Sequence, residues 1–491
     1  MTVDLRLAGP AAACWVLTGA ALLLPLTVTV VITAGLVSVA VLAWVALRAS
    51  RPAVAATAAA VCGMAAAAGA ACALRISITE GAPIAQARGL PVVVVQVTGD
   101  PVILRHSGEV RTPVRVVELD RRRHAPVAAE LVAEAEAIGD PVPGQRMALR
   151  VRVRPPPNGV GRRLVAARLT AVGDIATVSP APVWQRWAGR VRERLRLLAA
   201  RSLPPRAAGL FPGLVLGDTG DLDGELRDDF RAAGLTHLTA VSGSNFAIVC
   251  GAVVLALRML GASTRSTVAL GLLSMLGFVI LVRPTDSVLR AAVMGGIGLA
   301  GALAARRASA LPALGAAVVV VLLFWPQMAL APGFALSVLA TLGLVMWAAP
   351  IRQRLVRRGV PEVLAVLLAM TLAAQVLTTP LVIAVSDRVS LVSLPANLLV
   401  SPVVGPISLL GTLAAVVGAI GSPDGLGALA GELLIRATGP EMWWLVGCAH
   451  ALGGRRWSAP EVPGWQAAIV LTLAGVFGYG VWRAHRSRDP S

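Results

Sequence analysis

The sequence predicts a polytopic α-helical membrane protein of about 12 spans, with one small β-barrel domain inserted after the third span. Three observations carry that prediction. Apolar runs of about twenty residues, the length that crosses hydrocarbon, recur along most of the chain. Hydrophobic residues make up 56% of the 491 positions and charged residues only 14%, against about 25% charged in soluble domains. Residues 75–182 break this texture with short valine-rich segments between Gly, Pro and Asp turns.

Residues 11–47 are too long for one helix, and Pro25 divides them into spans near 11–25 and 27–47. Arg48, Arg51 and Pro52 punctuate, and 53–74 gives a third span rich in Ala and Gly, which let helices approach closely. Residues 1–74 are thus read as three membrane spans. The N-terminus lacks a signal-peptide layout, so the first apolar stretch is expected to be retained. In 75–182, Val92–Thr98, Val114–Leu119, Met147–Arg154 and Leu164–Val172 read as strands of an antiparallel domain closed as a barrel. Arg150, Arg152 and Arg154 alternate with Val151 and Val153, which puts three guanidiniums on one strand face. The domain holds 15 arginines against 10 acids. The surplus gathers at Arg121, Arg122 and Arg123 and across 146–168.

Residues 183–203 form the next unit. Trp184, Trp187, Val191, Leu195 and Leu198 recur at helical spacing, with Arg186, Arg190, Arg194 and Arg196 on the remaining surface. That pattern fits a helix lying in the membrane interface, the alternative being a basic helix docked on the β-domain. From 204 to 491 the chain returns to the membrane. Spans are placed near 236–259, 266–282, 287–305, 309–325, 332–349, 362–385, 397–420, 432–453 and 465–482, with 390–420 alternatively a broken or re-entrant segment. Arginines at 48/51, 258/265, 306/307, 352–358 and 483–488 fall on one side of a twelve-span arrangement. Both termini are then cytoplasmic and the β-domain extracytoplasmic, with Arg283 and Arg455/Arg456 as exceptions.

Net charge is +18, and all 44 basic residues are arginine. Without lysine there is no Walker A lysine, no Schiff base and no Ser–Lys dyad, so P-loop ATP hydrolysis is excluded. The five cysteines (Cys14, Cys62, Cys72, Cys250, Cys448) lie in apolar segments, which points to small buried hydrophobes and not to disulfides or a cysteine zinc site. No metal or cofactor is expected.

The richest constellation is 217–245, GDTGDLDGELRDDFRAAGLTHLTAVSGSN. Acids crowd its front, including Asp218 and Asp228, while Leu222, Leu226 and Phe230 make one apolar helical face. Thr236, His237, Thr239, Ser242, Ser244 and Asn245 then enter a membrane helix, with Gly243 among them. Polar groups at that depth face a bundle interior or a cavity. Asp286 and Arg290, spaced i,i+4, could pair on one helix face at a span entrance or else face a pore. Gln375, Thr378 and Thr379 precede Pro380, and Ser393, Asn397 and Ser401 accompany Pro395, Pro402 and Pro406. Such interruptions are tolerated in a membrane only when buried in protein or lining a cavity.

GLTHLTAVSGSN, preceded by Gly217–Asp218 and the acidic helix, resembles the signature of the ComEC competence-protein family, the DNA-uptake channels of natural transformation. RAAVM at 290–294, PGFALS at 332–337 and VSLVSLPANLLVSPVVGP at 389–406 resemble three further family segments, in the family's order and spacing. The resemblance covers nearly the whole chain, including three N-terminal spans followed by an external OB-like domain. It implies a channel, not an enzyme, passing single-stranded DNA into the cytoplasm. Asp218, Asp228, His237, Ser242, Gly243, Asn245, Arg290 and Asn397 would be its pore and signature residues. Arg121, Arg122, Arg123, Arg150, Arg152 and Arg154 would contact DNA on the external domain. The implied partners are single-stranded DNA, membrane lipid, a DNA-receptor protein outside and a helicase or translocase inside, with a homodimer left open.

The resemblance departs at two points. No H-x-H-x-D-H cluster accompanies the histidines His106, His124, His237, His450 and His485, so the nuclease of longer family members is not carried over. Asn245 stands where the family often has histidine, so no titrating role is assigned there. Two other readings stand beside the channel: a transporter of another polymer or of lipid, and an intramembrane serine protease built on Ser242 and His450.

Overall fold

The computed structural model describes residues 6–104, 108–156, 162–239, 241–303, 309–455, 457–462 and 469. Three helices open the chain: α1 (Ala8–Leu23), α2 (Leu26–Leu47) and α3 (Pro52–Glu80). Six strands follow: β1 (Val92–Val97), β2 (Val102–Ile103), β3 (Glu109–Leu119), β4 (Arg122–Glu134), β5 (Arg146–Arg154) and β6 (Arg168–Ser179). Then come α4 (Val183–Ser202), α5 (Pro205–Leu216), α6 (Gly224–Ala232), α7 (Gly243–Met259), α8 (Thr264–Val282), α9 (Asp286–Leu303) and α10 (Ala310–Phe324). The last are α11 (Pro332–Gly343), α12 (Glu362–Ser386), α13 (Ser393–Gly418), α14 (Leu426–Ala437) and α15 (Gly439–Gly453). Two compact units result, one of residues 1–190 with 315–331, the other of 191–314 with 332–491.

In the first unit α3 packs against both α1 and α2. A Cβ on Gly69 would lie 2.5 Å from Thr33 Oγ1 and 2.8 Å from Leu17 Cδ2. Glycine therefore sets the approach of all three helices, as small residues do where lipid supplies no hydrophobic drive. On α2, Val31 is 70% exposed and Leu42 67%. An all-round apolar helix of this kind belongs in hydrocarbon.

The β-domain is a six-stranded sheet in the order β1-β5-β6-β4-β3-β2, with an additional β1–β3 pairing. It is not the closed barrel expected. The parallel β4–β6 seam joins only three residue pairs, 130–132 with 168–170, and the two-residue β2 hangs as an edge on β3. Alternation fills one side with Val93, Val95, Val114, Val116, Leu131, Met147, Val151 and Leu169, all buried. The β3–β4 hairpin turns through Asp120 and Arg121 at φ 46° and 66°, the positive dihedrals that a two-residue type I′ turn demands. Arg163 holds this domain to the helices of its own unit. It pairs with Glu80 at 2.8 Å and donates to the carbonyls of Ala21 and Leu24.

Among the described residues eight helical segments are long and apolar enough to cross a membrane: α2, α3, Thr236–Met259, α8, α9, Pro332–Arg357, α12 and α13. Ala8–Leu23 and Ala310–Phe324 are apolar but shorter. The expected span 432–453 is two helices, because Thr438, Gly439 and Pro440 end α14 and start α15. The 465–482 span apart from residue 469, Arg306/Arg307, Arg456, Arg483–Arg488, His106 and His485 lie outside the described residues. Conversely, 393–418 is one helix that runs through Pro402 and Pro406. Near Pro402, Ser401 Oγ donates to the Asn397 carbonyl at 2.6 Å and Trp444 Nε1 to the Leu399 carbonyl at 2.9 Å.

The stripe on α4 is divided. Val191, Leu195, Leu198 and Ala199 are fully buried, and Leu198 Cδ1 sits 2.5 Å from where Gly418 would carry a Cβ. Trp184 and Trp187 remain 58% and 41% exposed. The second half of this helix is therefore core of the second unit, where an interfacial helix was expected.

Candidate functional site

The segment 217–245 is a chain of short elements pinned by its own side chains. Gly217, at φ 74°, closes α5 in the left-handed region that glycine reaches without penalty. Asp218 then turns inward, 9% exposed, and receives Arg196 Nε at 2.7 Å and Arg192 Nη2 at 3.8 Å. Arg192 is also buried and donates to the carbonyls of Leu216 and Leu281. Asp218 is thus the shared carboxylate that ties α4 to the start of the segment. Asp223 caps α6 by accepting from the Leu226 amide, and Leu226 and Phe230 bury the helix's apolar face. Asp228 stays at the surface, paired with Arg231 at 3.1 Å.

After α6 the chain reverses at Gly234 (φ 71°) into a 3-10 turn over Thr236–Leu238, on which His237 is exposed. Ser242 then caps α7, accepting from the Asn245 amide. Its Oγ also donates to Asn245 Oδ1 at 2.9 Å and lies 2.7 Å from Ser244 Oγ. Asn245, 1% exposed, donates to the Leu214 carbonyl at 3.2 Å. Its amide can accept and donate at once, which satisfies a fully buried polar group.

Two junctions bring the distant segments together. At the first, Gly243 faces Arg290, whose Nη2 lies 2.5 Å from where a Cβ would be. Arg290, 8% exposed, donates through Nε to Ser337 Oγ at 2.7 Å, and Ser287 Oγ reaches the same hydroxyl at 3.2 Å. The pairing of Asp286 with Arg290 expected from their spacing is not what forms. Asp286 accepts from the Phe334 amide at the start of α11, and Gly333 leaves room for its Oδ2 at 2.8 Å from the missing Cβ. Both charged residues of α9 therefore engage PGFALS, one at the helix start and one a turn later.

At the second junction Gly234 abuts Ser393, with Oγ 2.6 Å and Cβ 2.7 Å from its missing Cβ. Ser393 Oγ accepts from Gln375 Nε2 at 2.8 Å and Asn397 Nδ2 at 3.3 Å, and Ser390 Oγ donates to the Ala232 carbonyl at 2.7 Å. Four segments far apart in sequence thus meet at two polar contacts within one unit. Ser337, Gln375 and Ser393 do this work without having been chosen as site residues. Their signal was present, since each sits inside or beside an interrupted apolar run.

On the β-domain Arg121, Arg122 and Arg123 are exposed at the β3–β4 turn, and Arg123 pairs with Glu118 at 2.9 Å. Arg150, Arg152 and Arg154 are exposed along β5, with Val151 buried between the first two. Ser242 and His450 are not joined. His450 Nδ1 bonds Asp229 Oδ2 at 2.9 Å, while Ser242 bonds its own helix start. Among the described residues no group of three or more His, Cys, Asp or Glu could hold a metal ion.

The family model described as "Competence protein" matches residues 214–487, more than half of the chain. The ComE operon protein 3 of Bacillus subtilis (strain 168) is similar, with 30% identity over 200 residues. That alignment takes in 41% of this chain and 25% of that protein. No solved structure matches.

Proposed function

The chain belongs to the competence protein family, and from that premise we propose that it is a membrane channel passing single-stranded DNA into the cytoplasm during natural transformation. One observation carries the reading: the four segments 217–245, 290–294, 332–337 and 389–406 converge on polar junctions inside helices otherwise fit for lipid. Polar side chains at such depth serve a path or a cavity. His237, Ser244 and Asn397 line that path. Ser242, Gly243, Asn245 and Arg290 hold its walls in register. The channel itself performs no catalysis, and an ATP-driven cytoplasmic helicase or translocase pulls the strand.

The finer architecture belongs to the same proposal. The membrane is crossed about twelve times, with the short helices α1 and α10 and the broken α14–α15 counted as crossings. Both termini are cytoplasmic and the β-domain is extracytoplasmic and OB-like, β1 pairing with both β5 and β3. Its β5 row of Arg150, Arg152 and Arg154, with Arg121–Arg123 at the neighbouring turn, guides phosphates delivered by an external DNA receptor. No observation favours a lipid or polysaccharide cargo, and the separation of Ser242 from His450 leaves the protease reading without its dyad.

Disrupting this chain in a competent strain is expected to abolish acquisition of exogenous linear DNA. Transformation by plasmid electroporation should persist. Unchanged acquisition in the disrupted strain would remove the channel reading.

A further inference from the structure

Within the second unit α7, α8 and α9 enclose a cleft of about 460 Å3, inside the roughly 300–1,000 Å3 usual for small-molecule sites. It follows α7 from Gly243 to Val254 and α9 from Arg290 to Leu299, about 15 Å at the helical rise of about 1.5 Å per residue. Phe246, Val254, Met275 and Leu299 make its walls apolar. Gly251 and Gly298 keep it open, since a Cβ on either would meet nothing within 4 Å. Both glycines are exposed, on helices long and apolar enough to cross a membrane, so a surrounding bilayer would put acyl chains at the open side of the cleft.

One cation closes the Gly243 end. Arg290 is 8% exposed, and its hydrogen-bond partners, Ser337 Oγ and Met294 Sδ, are neutral. Among the described residues no carboxylate lies within ion-pair distance of it, and the nearest in sequence, Asp286, is engaged by Phe334. A buried guanidinium one turn into an apolar helix and without a counter-charge is costly, and its fork matches a phosphate ester, the anion that a phospholipid brings.

We propose that this cleft is a lipid site that takes one acyl chain of an anionic phospholipid along α7 and α9 and its phosphodiester on Arg290. Such a lipid is a resident ligand and not the cargo; the site rests on the channel reading in sharing Gly243 and Arg290 with the wall of that path. A nucleic acid strand suits the cleft poorly, because the walls offer one cation and almost no hydrogen-bond donors for a chain of phosphates and sugars.

The test uses the full chain in nanodiscs of equal phosphatidylglycerol and phosphatidylcholine, extracted and weighed intact by native mass spectrometry. One retained phosphatidylglycerol is expected, preferred about tenfold over phosphatidylcholine, equivalent to about 1.4 kcal/mol. Gly298→Leu or Gly251→Leu, which fill the cleft and leave Arg290 in place, should release it. Arg290→Gln should erase the headgroup preference and Arg290→Lys should keep most of it. Equal retention of the two lipids would overturn the proposal. So would full retention in both cleft-filling variants. Displacement of the lipid by inorganic phosphate or by a single-stranded oligonucleotide would assign Arg290 to those anions instead, and also overturns it.

Discussion

Replacing Asp218 by alanine should destabilise the second unit by about 3–5 kcal/mol, the cost of breaking a buried ion pair from one side. Its carboxylate is 9% exposed and shared by two guanidiniums, of which Arg192 is equally buried. Both arginines come from α4, and Arg192 reaches the carbonyls that end α5 and α8. Removing the acid therefore loosens α4 from three elements together. Asp218→Asn keeps the shape, loses the charge, and should behave nearly as badly. Arg196→Ala is the control. That side chain is 42% exposed, and exposed pairs contribute about 0–1 kcal/mol. Thermal unfolding of the detergent-solubilised chain reads the difference. A shift for Asp218→Ala no larger than for Arg196→Ala would show that the buried pair is not what holds α4.

The second large effect is expected at Gly234. Its φ of 71° costs a side chain about 1–3 kcal/mol. Contact with Ser393 at 2.6–2.7 Å adds an overpacking cost of about 1–3 kcal/mol. Gly234→Ala should thus both destabilise the chain and open the junction that joins the 217–245 segment to α13. Asparagine tolerates the left-handed region better than alanine does, so Gly234→Asn relieves the dihedral and keeps the collision. Both variants should lose DNA acquisition, with asparagine the more stable of the two. Wild-type acquisition by Gly234→Asn would mean that the contact with Ser393 is incidental.

Local periodicity explains what was legible in the residues. Period-two alternation put Arg150, Arg152 and Arg154 on one exposed face, and apolar runs located the eight helical segments long and apolar enough to cross a membrane, most of their ends closely. Partners were less legible. Asp286 and Arg290 are one turn apart, yet both turn to α11: Arg290 donates to Ser337, 47 residues on, and Asp286 accepts from the Phe334 amide. Proline shows the same dependence on context: Pro440 stands at the start of a new helix, whereas Pro402 and Pro406 lie inside one. The sheet's short β4–β6 seam depends on long-range pairing, which no strand pattern encodes.

The central claim is that a DNA strand passes the polar face formed by 236–245. Photo-crosslinking side chains placed at His237 and Ser244, both exposed, test it during uptake of labelled DNA by competent cells. Leu273, 63% exposed on α8, serves as the lipid-facing control. The account predicts adducts with incoming single-stranded DNA at His237 and Ser244 and none at Leu273. DNA that enters without marking either position, or that marks Leu273 equally, would contradict it.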